Sequence, residues 1–223
     1  MTKPLQIVSL AAPRPRSGKD TLAQQLVDHF GSDKVVTIAF GDYLRECVSH
    51  LFGHTMAIEL MSMLHDNRKD VPVHYLAGCH LVHADYREWM IQNGHSLTEP
   101  RSPRWHMQHF GNNYVKGHMG LHDFWIGVVD RRIEQLKRTN QNLELIIVTD
   151  TRSPNEFDWL ARNESKFIMV KRTGFPKDAH DDVTERHEVE TFADNWKYDM
   201  TVWNHYGFAE TMKTQALNVI PHD

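Results

Sequence analysis

The chain has 223 residues, of which 40% are hydrophobic and 24% charged, with a formal net charge of −4 at pH 7. That size and composition fit one α/β domain with a substantial core, and the acidic balance argues against a broad surface for nucleic-acid backbone. No apolar run approaches the ~20 residues of a membrane span, and the two cysteines, Cys47 and Cys79, do not make a disulfide framework.

Residues 5–10 (LQIVSL) suit a buried strand. The apolar stretch is too short for a signal peptide, so a cytoplasmic protein is expected. A loop with glycine and lysine follows, then a helix from about Lys19 to Phe30 with Leu22, Leu26, Val27 and Phe30 on one face and Gly31 as its stop. Residues 35–40 (VVTIAF) read as a second strand, and Asp42 can cap a helix over about 43–52 that Gly53 ends. The stretch 54–103 is rich in Asn, His, Gly, Pro and charge, with helical patterning over 57–65 and 85–92. It reads as an insertion on the core rather than a separate domain, and the residues leave open whether it makes a homodimer interface, a base pocket or neither. Its histidines and Cys79 supply no complete set of zinc ligands.

Helices are expected over 104–115 and 123–137, and 143–149 (LELIIVT) as a strand. Ser153-Pro154-Asn155-Glu156 is a capping box with proline at the first helical position, starting a helix that runs to about 163. Residues 166–171 (KFIMVK) form the next strand. A charged, lid-like loop over 172–190, a short strand at 199–203 and a closing helix at 208–219 complete the chain. Alternating strands and helices predict a parallel sheet with helices on both faces, in one domain over 1–223. Ligands of such sheets sit at the carboxyl ends of the strands, so the chemistry is expected just after Leu10, Phe40, Thr149 and Lys171.

The loop after the first strand reads Pro13-Arg14-Pro15-Arg16-Ser17-Gly18-Lys19-Asp20-Thr21. A strand before it and an amphipathic helix after it are the context of a Walker A loop, where amides at a helix start cradle phosphate. Two positions depart from G-x4-G-K-[ST]: Pro13 replaces the first glycine and Asp20 follows the lysine, with Thr21 one step later. Proline has no N–H, so the cradle falls to Arg16, Ser17, Gly18, Lys19, Asp20 and Thr21. Lys19 can reach the outer phosphates, and Asp20, Thr21 or both are expected to touch Mg²⁺ directly or through water. The bland alternative is a strand-turn-helix with an incidental lysine.

Asp150 follows the third strand at the Walker B position, suited to orienting Mg²⁺, or else caps the following helix, a job Ser153 does better; Arg152 can fork onto phosphate oxygens. Asp42 and Arg45 follow the second strand; a basic residue in a first helical turn opposes the dipole, which placement near an acceptor phosphate would explain, as would simple solvent exposure. Arg104 and Gln108 share a helix face and could take acceptor phosphate and a base edge, or be a solvated surface. Arg172 ends the fourth strand, before Lys177 and Arg186, and could neutralise charge in phosphoryl transfer. His106 and His109 lie on other faces, and Thr184-Glu185 could as easily cap a helix.

Taken in order, Ser17–Thr21 (SGKDT), Arg104, Gln108 and Gly111 as R-x3-Q-x2-G, Asp150–Arg152 (DTR) with Glu156, Arg172 and Thr184-Glu185 resemble the deoxynucleoside monophosphate kinases encoded by tailed bacteriophages. The resemblance implies a P-loop kinase fold with a five-stranded parallel sheet, an acceptor-binding lobe and a lid. It also implies ATP or dATP as donor, Mg²⁺, and a deoxynucleoside monophosphate acceptor bound by Asp42, Arg45, Arg104, Gln108, Asp150, Arg152 and Glu156. Lys19, Asp150, Arg152 and Arg172 would carry catalysis, in the host cytoplasm if the chain is phage-encoded. The rivals are dephospho-coenzyme A kinase or another small-molecule kinase, an NTP-hydrolysing regulatory module, and a nucleic-acid-binding protein.

Overall fold

A computed structural model describes residues 5–14, 16–174 and 195–220. Lys177, Thr184, Glu185, Arg186 and the 172–190 loop beyond Gly174 lie outside the described residues. The chain divides into two compact units, one made of Met1–Phe40 with Val129–Asp223 and the other of Gly41–Val128.

The first unit holds a five-stranded, all-parallel sheet of β1 (Gln6–Ala11), β2 (Val35–Ile38), β3 (Leu145–Val148), β4 (Lys166–Thr173) and β5 (Met200–His205). Its order is β2-β3-β1-β4-β5. The inner strands read as continuous apolar runs because both their faces are covered, whereas β2 and β5, at the edges, mix buried and exposed positions. On one face Val8, Leu10, Ile147, Ile168, Val170 and Val202 share a core with Leu22 and Leu26 of α1 (Lys19–Phe30). Met212 and Ala216 of the closing helix Thr211–Ala216 join the same core. On the other face Phe167, which alternates with Ile168, stacks on Phe157 of helix Pro154–Arg162 with ring centroids 5.7 Å apart. Helices therefore cover both faces, as alternation predicts.

β4 runs two residues past its expected end, because Arg172 and Thr173 still pair with Asn204 and His205 of β5. The closing helix is correspondingly shorter than 208–219. Its Gln215 side chain accepts from the Trp203 N–H at 2.8 Å and donates to the Trp203 carbonyl at 3.0 Å.

The second unit is helical: α2 (Asp42–His50), α3 (His54–His65), α4 (Ala84–Gln92), α5 (Pro103–Gln108) and the first turn of α6 (Phe124–Thr139). The 54–103 stretch lies inside it and includes short 3-10 turns at Asn67–Asp70, His74–Leu76 and Gly78–His80. Its core joins Val48, Leu51, Leu60, Leu76, Tyr86, Trp89, Met90, Phe110 and Tyr114. Gly41, not Asp42, takes the cap position of α2, and Asp42 begins the helix. The single helix expected over 104–115 is instead α5 followed by a π-helix at His109–His118. Its last turn widens as the Met119 N–H reaches the Tyr114 carbonyl five residues back, at 2.9 Å. Later in chain order come α7 (Pro154–Arg162) and α8 (Thr211–Ala216). Among the described residues no helix is long and apolar enough to cross a membrane.

Candidate functional site

Strands β1 and β3 are neighbours, but the chain leaves them in opposite directions. From β1 it passes through α1 to β2 on one side; from β3 it passes through α7 to β4 on the far side of β1. Helix α1 packs on the Leu10 face and α7 on the Phe167 face. The loops after β1 and β3 therefore part from each other, and a crevice at such a switch point is where open α/β sheets take ligands.

The loop after β1 has two residues at positive φ. Gly18 caps α1 in the left-handed region at φ 99°, and Arg16 sits at φ 58°, an uncommon value for a residue with a side chain. The Ser17 hydroxyl donates to the Arg14 carbonyl at 2.5 Å, and Ser17 is buried. The N–H groups of Lys19, Asp20 and Thr21 have no intrahelical acceptor by position, and among the described residues none donates to another backbone carbonyl. The half-buried Lys19 ammonium lies 4.0 Å from the Asp20 carboxylate, whose side chain is 89% exposed. So loose an exposed pair holds the ammonium weakly. Open amides, a helix dipole and a cation converge here.

The loop after β3 is held from three sides. Asp150 Oδ1 accepts the Phe40 N–H at 2.7 Å. The buried hydroxyls of Thr151 and Ser9 meet at 2.8 Å. Glu156 Oε2 accepts the N–H groups of Arg152 at 2.8 Å and Ser153 at 3.0 Å. Burial pushes the Glu156 carboxyl above its ordinary range, the two N–H groups pull the other way, and the Asp150 charge adds to the rise. Glu156, expected against substrate, is the third helical residue of α7 and completes the capping box with Ser153, while Arg152 is exposed.

Of the remaining expected residues, Arg172 lies within β4, in register with Asn204. The Asn204 side chain donates to the Ser17 carbonyl at 3.1 Å, so the fifth strand meets the loop after β1. The others belong to the second unit. Asp42 accepts from Arg45 at 2.7 Å. Arg104 pairs with Asp70 through Nε and Nη2, and both Arg104 and Gln108 are exposed. Gly111 has a packing role: a Cβ there would lie 2.6 Å from Leu44 Cδ2.

Magnesium takes hard oxygen ligands and is commonly held by one or two protein oxygens together with substrate phosphates. The exposed Asp20 and Thr21 and the half-buried Asp150 offer such oxygens. Among the described residues no three His, Cys, Asp or Glu side chains cluster.

Ser9 and Asn204 were missed by sequence reasoning. A signal existed for both: each is a polar residue inside a strand whose buried neighbours are apolar, and asparagine is a poor strand former. No protein-family model matches the chain, and no curated protein matches it.

Proposed function

We propose that the loop Arg16–Thr21 binds the polyphosphate of ATP or dATP and that the protein transfers the terminal phosphoryl group to a deoxynucleoside monophosphate. One observation carries this reading: a left-handed glycine caps a helix whose first amides are open, with lysine next to it, at the switch point of a parallel sheet. A P-loop kinase fold is the finer form of the three-layer arrangement.

The acceptor's phosphate oxygen is already ionised at neutral pH and attacks the γ-phosphorus. A new P–O bond forms, the bond to the bridging oxygen breaks, and the donor leaves as its diphosphate. No protein nucleophile is needed; the work is positioning and charge neutralisation. The α1 amides and Lys19 hold the donor, and Arg172 and Arg152 offset the charge spreading over the transferring oxygens. Asp150 and the oxygens of Asp20 or Thr21 would hold Mg²⁺, which supplies charge neutralisation on the phosphates when bound. Arg45, Arg104 and Arg152 are the acceptor-phosphate ligands of this reading; Arg45 now pairs with Asp42 and Arg104 with Asp70.

The test is incubation with Mg-ATP and each common NMP and dNMP, with dephospho-coenzyme A included, followed by separation of products. A deoxynucleoside diphosphate is the expected product, and Lys19→Ala should lower its rate by about two orders of magnitude or more with the fold intact. ATP hydrolysis with no acceptor phosphorylated would replace the kinase by a hydrolysing module. Wild-type turnover in Lys19→Ala would remove the phosphate loop from the chemistry.

A further inference from the structure

Asn204 sits on β5 opposite Arg172, and only 5% of its surface is exposed. Its Nδ2 donates to the Ser17 carbonyl at 3.1 Å, across 187 positions of sequence. Its Oδ1 is buried and has no hydrogen-bond partner among the described residues. A Cβ built on Gly18 would lie 2.5 Å from that Nδ2 and 3.3 Å from Cγ, so the carboxamide fills the space a side chain at position 18 would need. An apolar residue could occupy this interior position without leaving an acceptor unmade, and the cost of that orphan asks for a compensating role.

The planarity of the peptide bond supplies one. The carbonyl of Ser17 and the N–H of Gly18 belong to one trans peptide and point in opposite directions. A side chain that grips the carbonyl from the buried side therefore turns the Gly18 N–H away from itself. We propose that Asn204 is a positioning residue of the phosphate loop, holding the Ser17–Gly18 peptide so that its N–H faces a bound polyphosphate. This rests on the phosphate-binding reading above and adds to it the residue that sets the loop's orientation.

Isothermal titration with Mg-ATP and with tripolyphosphate tests it, using wild type, Asn204→Ala, Asn204→Asp, Gly18→Ala and Lys19→Ala, with unliganded melting curves recorded for each. Asn204→Ala should bind tripolyphosphate about tenfold more weakly. Asn204→Asp is isosteric but cannot donate from a carboxylate and brings a negative charge to the loop. It should bind more weakly still, with a deficit that shrinks as salt is raised. A merely structural role would not rank the variants by charge. Should Asn204→Ala not fold, Gly18→Ala probes the same junction from the loop side, where it should weaken tripolyphosphate at least as much. Wild-type affinity in either folded alanine variant, or equal affinity of Asn204→Asp and wild type, overturns the role of Asn204 while a loss in Lys19→Ala leaves the phosphate loop standing. Absence of binding by wild type, or undiminished binding by Lys19→Ala, overturns both.

Discussion

Two buried hydroxyls show how much of the candidate site depends on pairs invisible along the chain. Ser9 and Thr151 are both buried and hydrogen-bonded at 2.8 Å, so each satisfies a group that could not otherwise be enclosed cheaply. Thr151→Val keeps the shape and strands the Ser9 hydroxyl. The expected loss is about 1–3 kcal/mol by urea denaturation, and Ser9→Ala combined with Thr151→Val should recover most of it, since then no donor is left unmade. A single variant as stable as wild type would show that water or another group replaces the bond. Spacing alone made Gly18, Lys19 and Asp150 legible, because a strand, a glycine and a lysine before a helix, and an acid at a strand end, are local patterns. Ser9, at 142 residues from Thr151, and Asn204, at 187 from Ser17, act through partners that only the fold brings close. Glu156 shows the converse: its position suited both a ligand and a helix cap, and its carboxylate receives the two N–H groups that begin α7.

Elements buried on both faces were the easiest to read. β1 and β3 are near-continuous apolar runs, and α1 carries a helical stripe bounded by Gly18 and Gly31, so their existence and type followed from pattern. The π-helix was not legible. Its buried Phe110, Gly111, Tyr114 and Val115 have the spacing of an ordinary helix face, while the wider turn resides in backbone hydrogen bonds that side-chain periodicity does not report. The 3-10 turns of the second unit are too short to have a period at all. The edge of β5 offers a test at this scale, since Gln215 imitates a neighbouring strand for Trp203. Gln215→Ala gives both backbone groups to water. The expected cost is about 0.5–1.5 kcal/mol, and exchange of the Trp203 amide should quicken by about tenfold. Unchanged protection of that amide would mean the clasp contributes nothing in solution. An edge so uncovered is also a template for another strand, and aggregation on heating should rise in the same variant.

At the scale of the whole molecule, the two units have separate hydrophobic cores, and acid should act on them differently. In the second unit His106 is buried, with Nε2 at 2.8 Å from the Leu76 carbonyl and so carrying the proton, and Phe52, Tyr86 and Trp105 around its ring. Burial lowers its pKa from 6.5 to about 4; the Leu76 carbonyl opposes the shift, and the charges of His109 and Arg101 add to it. Burial lowers His95 and His109 as well, again with Arg101 adding. A folded pKa below the unfolded one means that the unfolded chain takes up the proton first. Stability is therefore full above about pH 6.5 and falls as the pH drops toward 4, by roughly 3 kcal/mol for His106. Glu156 in the first unit has the opposite sign: its raised pKa lets the folded state bind the proton first, so acid relieves a strain there. Calorimetry near neutral pH and at about pH 5 should show the transition of the helical unit moving down more than that of the sheet unit. His106→Gln can keep a donor for the Leu76 carbonyl and removes the titrating ring, so it should lose part of that acid shift, and Mg-ATP should raise the transition of the sheet unit alone. If His106→Gln shifts with acid as far as wild type does, the buried imidazole is not the group that makes the helical unit acid-sensitive.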